Sequence, residues 1–496
     1  MAMVTDPDHP DQPGYLRGMA LTDRWHLHPP QEFVDGSFDL IDLRNGATVD
    51  FQIVDIAVDA PVPYAPQRHG LAQGGKRYGF FEVPAGLGRD LHFVAPDLPA
   101  CGYATFELRP RQERQATSAT TSRSASSIES EYYRLQVDPD TGRVVSLIDI
   151  EADRELLDAE APHGLGEIVL RTPESMLDWD RTLIRRAGAD GAVYSTIELA
   201  TSAPGHPHIV TAFSLHRGLK RLDMALRILK DPTPLLDVHL AFPFLLADPA
   251  FRYEGVLCAL TPMADFLPGA YWDQVTVRNW VRIGGSGISL LWSSLDAPTC
   301  ALGQLTEGYT SPAHSCIVPE RIKHEPGDAG QVRRAWVYSL LCANNLGTNF
   351  SVSQTGSLLF RYSLTTAAGE MGDAEAARLG ADAMTPCQTI FTQPRRPGHL
   401  PLSSSMIAIE GGSPALLCCK RAEDGQGLIL RLWNPTAETT ESTVRLGFGT
   451  IERVGLTALA EDDDGQLTGE LLGHGRRAFT VRIGPRSIAT VRVILE

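Results

Sequence analysis

Residues 132–137 alternate, with Tyr133, Leu135 and Val137 separated by Tyr132, Arg134 and Gln136. That is the period-two signature of a half-buried strand. Asp138-Pro139-Asp140-Thr141-Gly142 follows. It carries Pro to fix φ, Asp to bond its own backbone and Gly for positive φ, so it reads as a hairpin loop. The return segment, 143–150, is apolar on both sides, which predicts a strand deep in its sheet. Similar short runs recur at 166–171, 192–200, 209–216, 222–229, 236–244, 287–292, 332–341 and 357–365. A single stretch, 373–384 (DAEAARLGADAM), has the composition and acidic start of a helix. Many strands with one helix predict antiparallel sandwiches, not βαβ units.

The punctuation between these runs divides the chain. Residues 1–32 begin polar and proline-rich and read as a flexible tail. Apolar runs at 38–43, 49–58, 78–83, 91–94 and 103–108, broken by Gly and Pro, predict a small β-sandwich over 33–108. Residues 109–127 are Ser/Thr/Ala/Arg-rich without periodicity and cannot bury a core, so they read as a protease-sensitive linker. A large β-sandwich is expected over 128–386 and a terminal one over 394–496. In the latter, Leu428, Leu430 and Leu432 share one strand face opposite Ile429, Arg431 and Trp433.

Composition narrows the function. The 496 residues are 43% hydrophobic, enough for several cores. A net charge of −16 argues against nucleic acid or an anionic membrane as partner. No window approaches a membrane span, and the first residues have neither the basic region nor the apolar core of a signal peptide. None of the 8 cysteines forms a C-x-x-C pair. They read as reduced thiols in a cytoplasmic protein.

A set of landmarks resembles the β-rich part of glycoside hydrolase family 38, the α-mannosidases. Leu40-Ile41-Asp42 with Gly46 and Gln52, then Pro99, Gly102 and Tyr103, look like its first β-domain. Glu129, Tyr133, Asp138, Thr141-Gly142, Ser146-Leu147 and Asp149 look like the opening of its large β-domain. Ala241-Phe242-Pro243, Phe251-Arg252-Tyr253-Glu254, Leu267-Pro268-Gly269, Asn279-Trp280-Val281 and Ser294-Leu295-Asp296-Ala297-Pro298 continue the series. So do Asn344-Asn345, Thr348-Asn349-Phe350, Gln354, Gly356 and Phe360-Arg361-Tyr362-Ser363-Leu364. Leu417, Lys420, Ala422-Glu423-Asp424-Gly425, Arg431, Asn434 and Glu461 resemble the final sandwich. One departure is visible, because Leu346-Gly347 stands where a bacterial branch of the family usually includes a Trp. The resemblance implies an all-β, multi-domain fold with a galactose-mutarotase-like large sandwich flanked by two smaller ones. It also implies that a catalytic α/β barrel, with the nucleophilic Asp and a zinc site of two His and two Asp, belongs to a part these residues do not match.

A search for that chemistry within the chain finds no catalytic residue and no metal ligand to name. Retaining glycosidases need a carboxylate nucleophile with a second carboxyl close by, and no stretch resembles the family's nucleophile motif. His9-Pro10-Asp11 spells the family's H-x-D zinc motif, but beside proline in a polar tail. His26-Leu27-His28 and His206-Pro207-His208 put two imidazoles at strand spacing, with no further ligand at motif distance. Asp138, Asp140 and Asp462-Asp463-Asp464 read as turn aspartates without the alternating oxygens of a calcium loop. Sugars pack on flat rings, and Tyr271-Trp272, in a loop after Pro268-Gly269, are the candidates for carbohydrate or partner contact. Trp280, Trp292 and Trp336 read as core.

The expectation is therefore the non-catalytic half of an α-mannosidase-like enzyme in carbohydrate metabolism. It would partner a catalytic barrel subunit, be left as a remnant, or form a homo-oligomer. Zinc is expected only in the catalytic part. A stand-alone carbohydrate-binding or scaffold protein is the alternative. A mutarotase- or lyase-like sugar enzyme is a further one, and it needs a His or Tyr base beside an acid in one groove.

Overall fold

A computed structural model describes residues 3–6, 9–15, 38–55, 89–111, 120–122, 126–172, 174–186, 188–233, 236–268, 270, 274–305, 332–344, 353–389, 400–412, 414–462 and 467–496. Among them the fold is nearly all-β, every strand pairing is antiparallel, and the single helix is Asp373–Met384. Three sheets of eleven, five and four strands enclose the largest core. Two four-stranded sheets enclose a separate core within residues 407–495. A further small core gathers Phe38, Leu40 and Phe51, with the two rings stacked 4.6 Å apart.

The hairpin forms where alternation places it, as Tyr133–Val137 paired with Val144–Asp149. Asp138 Oδ1 accepts the backbone N–H groups of Asp140 (2.8 Å) and Thr141 (2.9 Å). These donors hold its carboxyl below the usual range, Thr141 contributing most. Gly142 turns the chain at φ 71°, where a Cβ would lie 2.7 Å from that of Leu183. The return strand does lie inside its sheet, between Tyr133–Val137 and Arg154–Glu155, but its apolar residues are not all buried. Val144, Leu147 and Asp149 are buried, but Val145 is half exposed. The four-stranded sheet that holds it packs on one side only, and a β-branched residue tolerates the open face. Asp149 anchors the hairpin to the largest sheet. Its Oδ2 accepts from Thr366 Oγ1 (2.5 Å), whose oxygen also meets Tyr133 OH (2.7 Å), and Lys220 Nζ lies 3.2 Å away.

Several landmark residues tie chain segments together. Buried Glu254 accepts from Asn279 Nδ2 at 3.2 Å. Asn344 Nδ2 donates to Leu236 O (2.9 Å), while its Oδ1 accepts from Gln354 N (3.1 Å). Asn434 Nδ2 donates to Glu438 O (2.6 Å) and Gly484 O (2.8 Å). Trp280 and Trp292 are core, as expected. The helix reaches Trp280 through Gly380, where a Cβ would come within 2.5 Å of the indole. Trp336 is half-buried instead, because its Nε1 donates to Asp158 Oδ2 at 3.0 Å.

The smaller units are stitched to their neighbours by hydrogen bonds. Gln52 Oε1 accepts from Val193 N (3.3 Å) and Tyr194 N (3.2 Å) of the large sandwich. Gly102–Ala104 pairs with Ser403–Ser405, far along the chain. At Gly102 a Cβ would sit 2.1 Å from Ser404 O, so the close approach requires glycine. Met3–Asp6 pairs with His9–Tyr15 within the stretch expected to be a tail.

Candidate functional site

Tyr271 and Trp272 lie outside the described residues. So do His26, His28, Asp463, Asp464 and the Leu346-Gly347 departure, and of His9 and Asp11 only the backbone strand is described. Two described residues earlier in the chain are informative. Val256, in the turn joining Ala250–Glu254 to Ala259–Leu260, is 88% exposed, and Leu267, in the following turn, is 78% exposed. These are isolated large aliphatic side chains held out in water on consecutive turns.

His206 is buried, and its Nδ1 pairs with Pro204 O at 2.8 Å. Burial pushes its pKa down, with Lys230 adding to the effect. Among the described residues no group of three His, Cys, Asp or Glu could hold a metal ion.

The outward face of the five-stranded sheet brings together residues that no motif linked. Arg171 and Asp237 face each other across paired strands, with Nη2 and Oδ2 3.2 Å apart and both side chains essentially without solvent. His239 follows on the same face and is completely buried, which drives its imidazole well below its ordinary pKa. Further along, His163 Nδ1 lies 3.4 Å from Tyr338 OH, and Asp158 takes the Trp336 indole N–H. Burial lowers His163 to about 4, and burial raises Tyr338 above its ordinary value. A neutral imidazole beside a neutral phenol can position groups. Neither is poised to exchange a proton near neutral pH, where a general base works best with a matched pKa.

A second concentration of polar groups lies at the edge of the large sandwich. Ile184–Arg186 pairs with Tyr194–Ala203 at 198–200, and Gly188–Asp190 pairs with the same strand at Ser195. The edge is therefore interrupted. Gly188 is required there, since a Cβ would fall 1.7 Å from Thr196 O. A cavity of about 210 Å³ opens at this break, closed on its other side by Ser127–Glu129. Arg185, Arg186, Arg217, Asp190 and Glu129 line it. Ser195 Oγ donates to Asp190 Oδ1 (2.7 Å), and Arg217 lies 3.7 Å from the same oxygen. Glu129 pairs with Arg134 at 2.5 Å. Sequence reasoning passed over this site. The run Arg185-Arg186 was its only signal, and pattern alone does not say which arginine turns inward.

Comparison with known proteins places the fold. Residues 413–491 match the family described as glycosyl hydrolases family 38 C-terminal beta sandwich domain. No curated protein sequence matches the chain. An α-mannosidase from Enterococcus faecalis V583 is similar in structure, with TM-score 0.59 and 11% identity, over 92% of this chain and 50% of its own. A family 38 glycosyl hydrolase structure from Enterococcus faecalis is similar at TM-score 0.56 and 12% identity, over 90% of this chain and 52% of its own. The chain thus spans about half the length of these two structures. The likeness to family 38 is shown by sequence for the terminal sandwich and at the level of the fold for the rest. No helix among the described residues is long and apolar enough to cross a membrane.

Proposed function

From a fold shared with family 38 structures over half their length, we propose that these residues are the non-catalytic, β-rich part of an α-mannosidase-like glycoside hydrolase. They act in mannoside metabolism together with a catalytic barrel part that carries the nucleophile and the zinc. The observation that carries the proposal is the asymmetry of the structural match, 92% of this chain against 50% of the Enterococcus faecalis α-mannosidase. The exposed Val256 and Leu267, which precede Tyr271 and Trp272 in the chain, support a contact surface on the large sandwich. An aliphatic side chain left in water is stabilised by burial against a partner. That partner is the barrel part, with a second copy of this chain as the competing occupant.

The test is an assay on aryl α-mannosides. The purified chain alone is expected to be inactive with or without added zinc. Co-expression with a barrel polypeptide encoded beside it is expected to yield a stoichiometric, chelator-sensitive complex. Chelator-sensitive turnover by the chain alone overturns the proposal, as does failure of the two polypeptides to associate.

A further inference from the structure

We infer that the cavity at the broken edge of the large sandwich binds a small hydroxylated anion of monosaccharide size, such as a sugar acid or sugar phosphate. This site is independent of the docking and catalytic partnership proposed above.

The argument starts from the charge on the cavity wall. Each acid there has its own arginine, Glu129 with Arg134 and Asp190 with Arg217. Arg185 has none. It makes no hydrogen bond or ion pair among the described residues; the side chain is half-buried, and its Nη1 is shut from solvent without a partner. The cross-strand register explains why. Arg185 stands opposite Leu199, on the face that turns to the core, whereas Arg186 stands opposite Glu198 on the outer face. A guanidinium cannot lose its proton to escape burial. Keeping one of its nitrogens dry and unpaired is costly, and an anionic group supplied from outside removes that cost. Arginine's planar fork suits carboxylate and phosphate oxygens in particular.

The remaining wall specifies more than charge. At about 210 Å³ the cavity far exceeds the room one water needs. It is smaller than the roughly 300–1,000 Å³ of sites for drug-sized ligands. Asp190, oriented by Ser195 Oγ and neutralised by Arg217, offers carboxylate oxygen to ligand hydroxyls without repelling an anion on Arg185. A chain of net charge −16 that sets three arginines against two carboxylates around one pocket favours an anion there.

Titration calorimetry on the full chain tests the assignment, with glucuronate and mannose 6-phosphate as probes and mannose and inorganic phosphate as controls. At least one charged sugar is expected to bind about tenfold tighter than both controls. Arg185→Met is expected to remove that preference without lowering the thermal midpoint of the unliganded protein. Asp190→Asn, which keeps the shape of the side chain, is expected to weaken the charged sugar several-fold. The inference is overturned if mannose binds as tightly as the charged sugars, if phosphate alone matches them, or if none binds. It is equally overturned if Asp190→Asn leaves the affinity unchanged, a result that stands even if the Arg185 variant does not fold.

Discussion

The large sandwich and the terminal sandwich share an antiparallel plan but fill their interiors differently. In the large one, Arg171, Asp237, His239, Asp149 and Glu254 are all shut away from solvent among the aliphatic and aromatic residues. In the terminal one, the core is Leu430, Leu432, Val444, Phe479, Val481, Val491 and Val493. Its buried polar residues, such as Asn434, Ser442 and Thr490, carry no charge. The terminal unit's one comparable carboxylate among the described residues, that of Glu461 with its side chain 4% exposed, lies outside this core and is met by Lys420 and Arg431 at 2.7 and 3.2 Å. Buried charges are poor sources of net stability, since their desolvation offsets their attraction. The large sandwich keeps them where they fix loops and register, and it becomes sensitive to pH and to single substitutions. The core of the terminal sandwich is held by apolar burial without a charged group.

The largest expected effect is at the enclosed ion pair. Arg171→Met leaves Asp237 charged and buried, at a cost of about 3–5 kcal/mol in urea unfolding. The double change with Asp237→Leu is expected to recover most of it. A single variant no weaker than the wild type would remove the pair from the comparison. Next is Leu430→Ala in the terminal core, which deletes packed methyl groups and costs about 2–5 kcal/mol. That loss is expected to be the same at pH 7 and pH 5, because no titrating group shares the core, and a pH-dependent loss contradicts the contrast.

A smaller effect sharpens it from the other side. His163 is neutral in the fold, with burial holding it at about 4. Its folded value lies below that of the unfolded chain, about 6.5. Its contribution is therefore complete above the unfolded value and is lost as pH falls toward the folded one. His163→Gln is expected to flatten the decline in stability across that window, and an unchanged pH profile refutes the assignment. The smallest effect belongs to the surface. Arg445 and Glu410 pair at 2.6 Å with both side chains more than half exposed, and Arg445→Ala is expected to leave the thermal midpoint unmoved.

Local pattern by itself determined much of the fold. The helix 373–384 lies where composition and its acidic start place it. The strands Leu222–Lys230, Asp237–Pro243 and Ile288–Ser294 fall within a residue or two of their apolar runs. Period-two alternation and turn chemistry act between neighbours, so sequence suffices for them. Family landmarks such as Glu254, Asn344 and Asn434 were legible as signatures, yet only their hydrogen bonds disclose that they tie chain segments. The tertiary structure alone decided which residues from distant strands meet. Arg171 finds Asp237, Gly102 finds Ser404, and Ser127–Glu129 closes over Arg185 and Asp190. Alternation assigns a side chain to one of two faces. What that face packs against depends on sheet order and register, which many separated contacts set together.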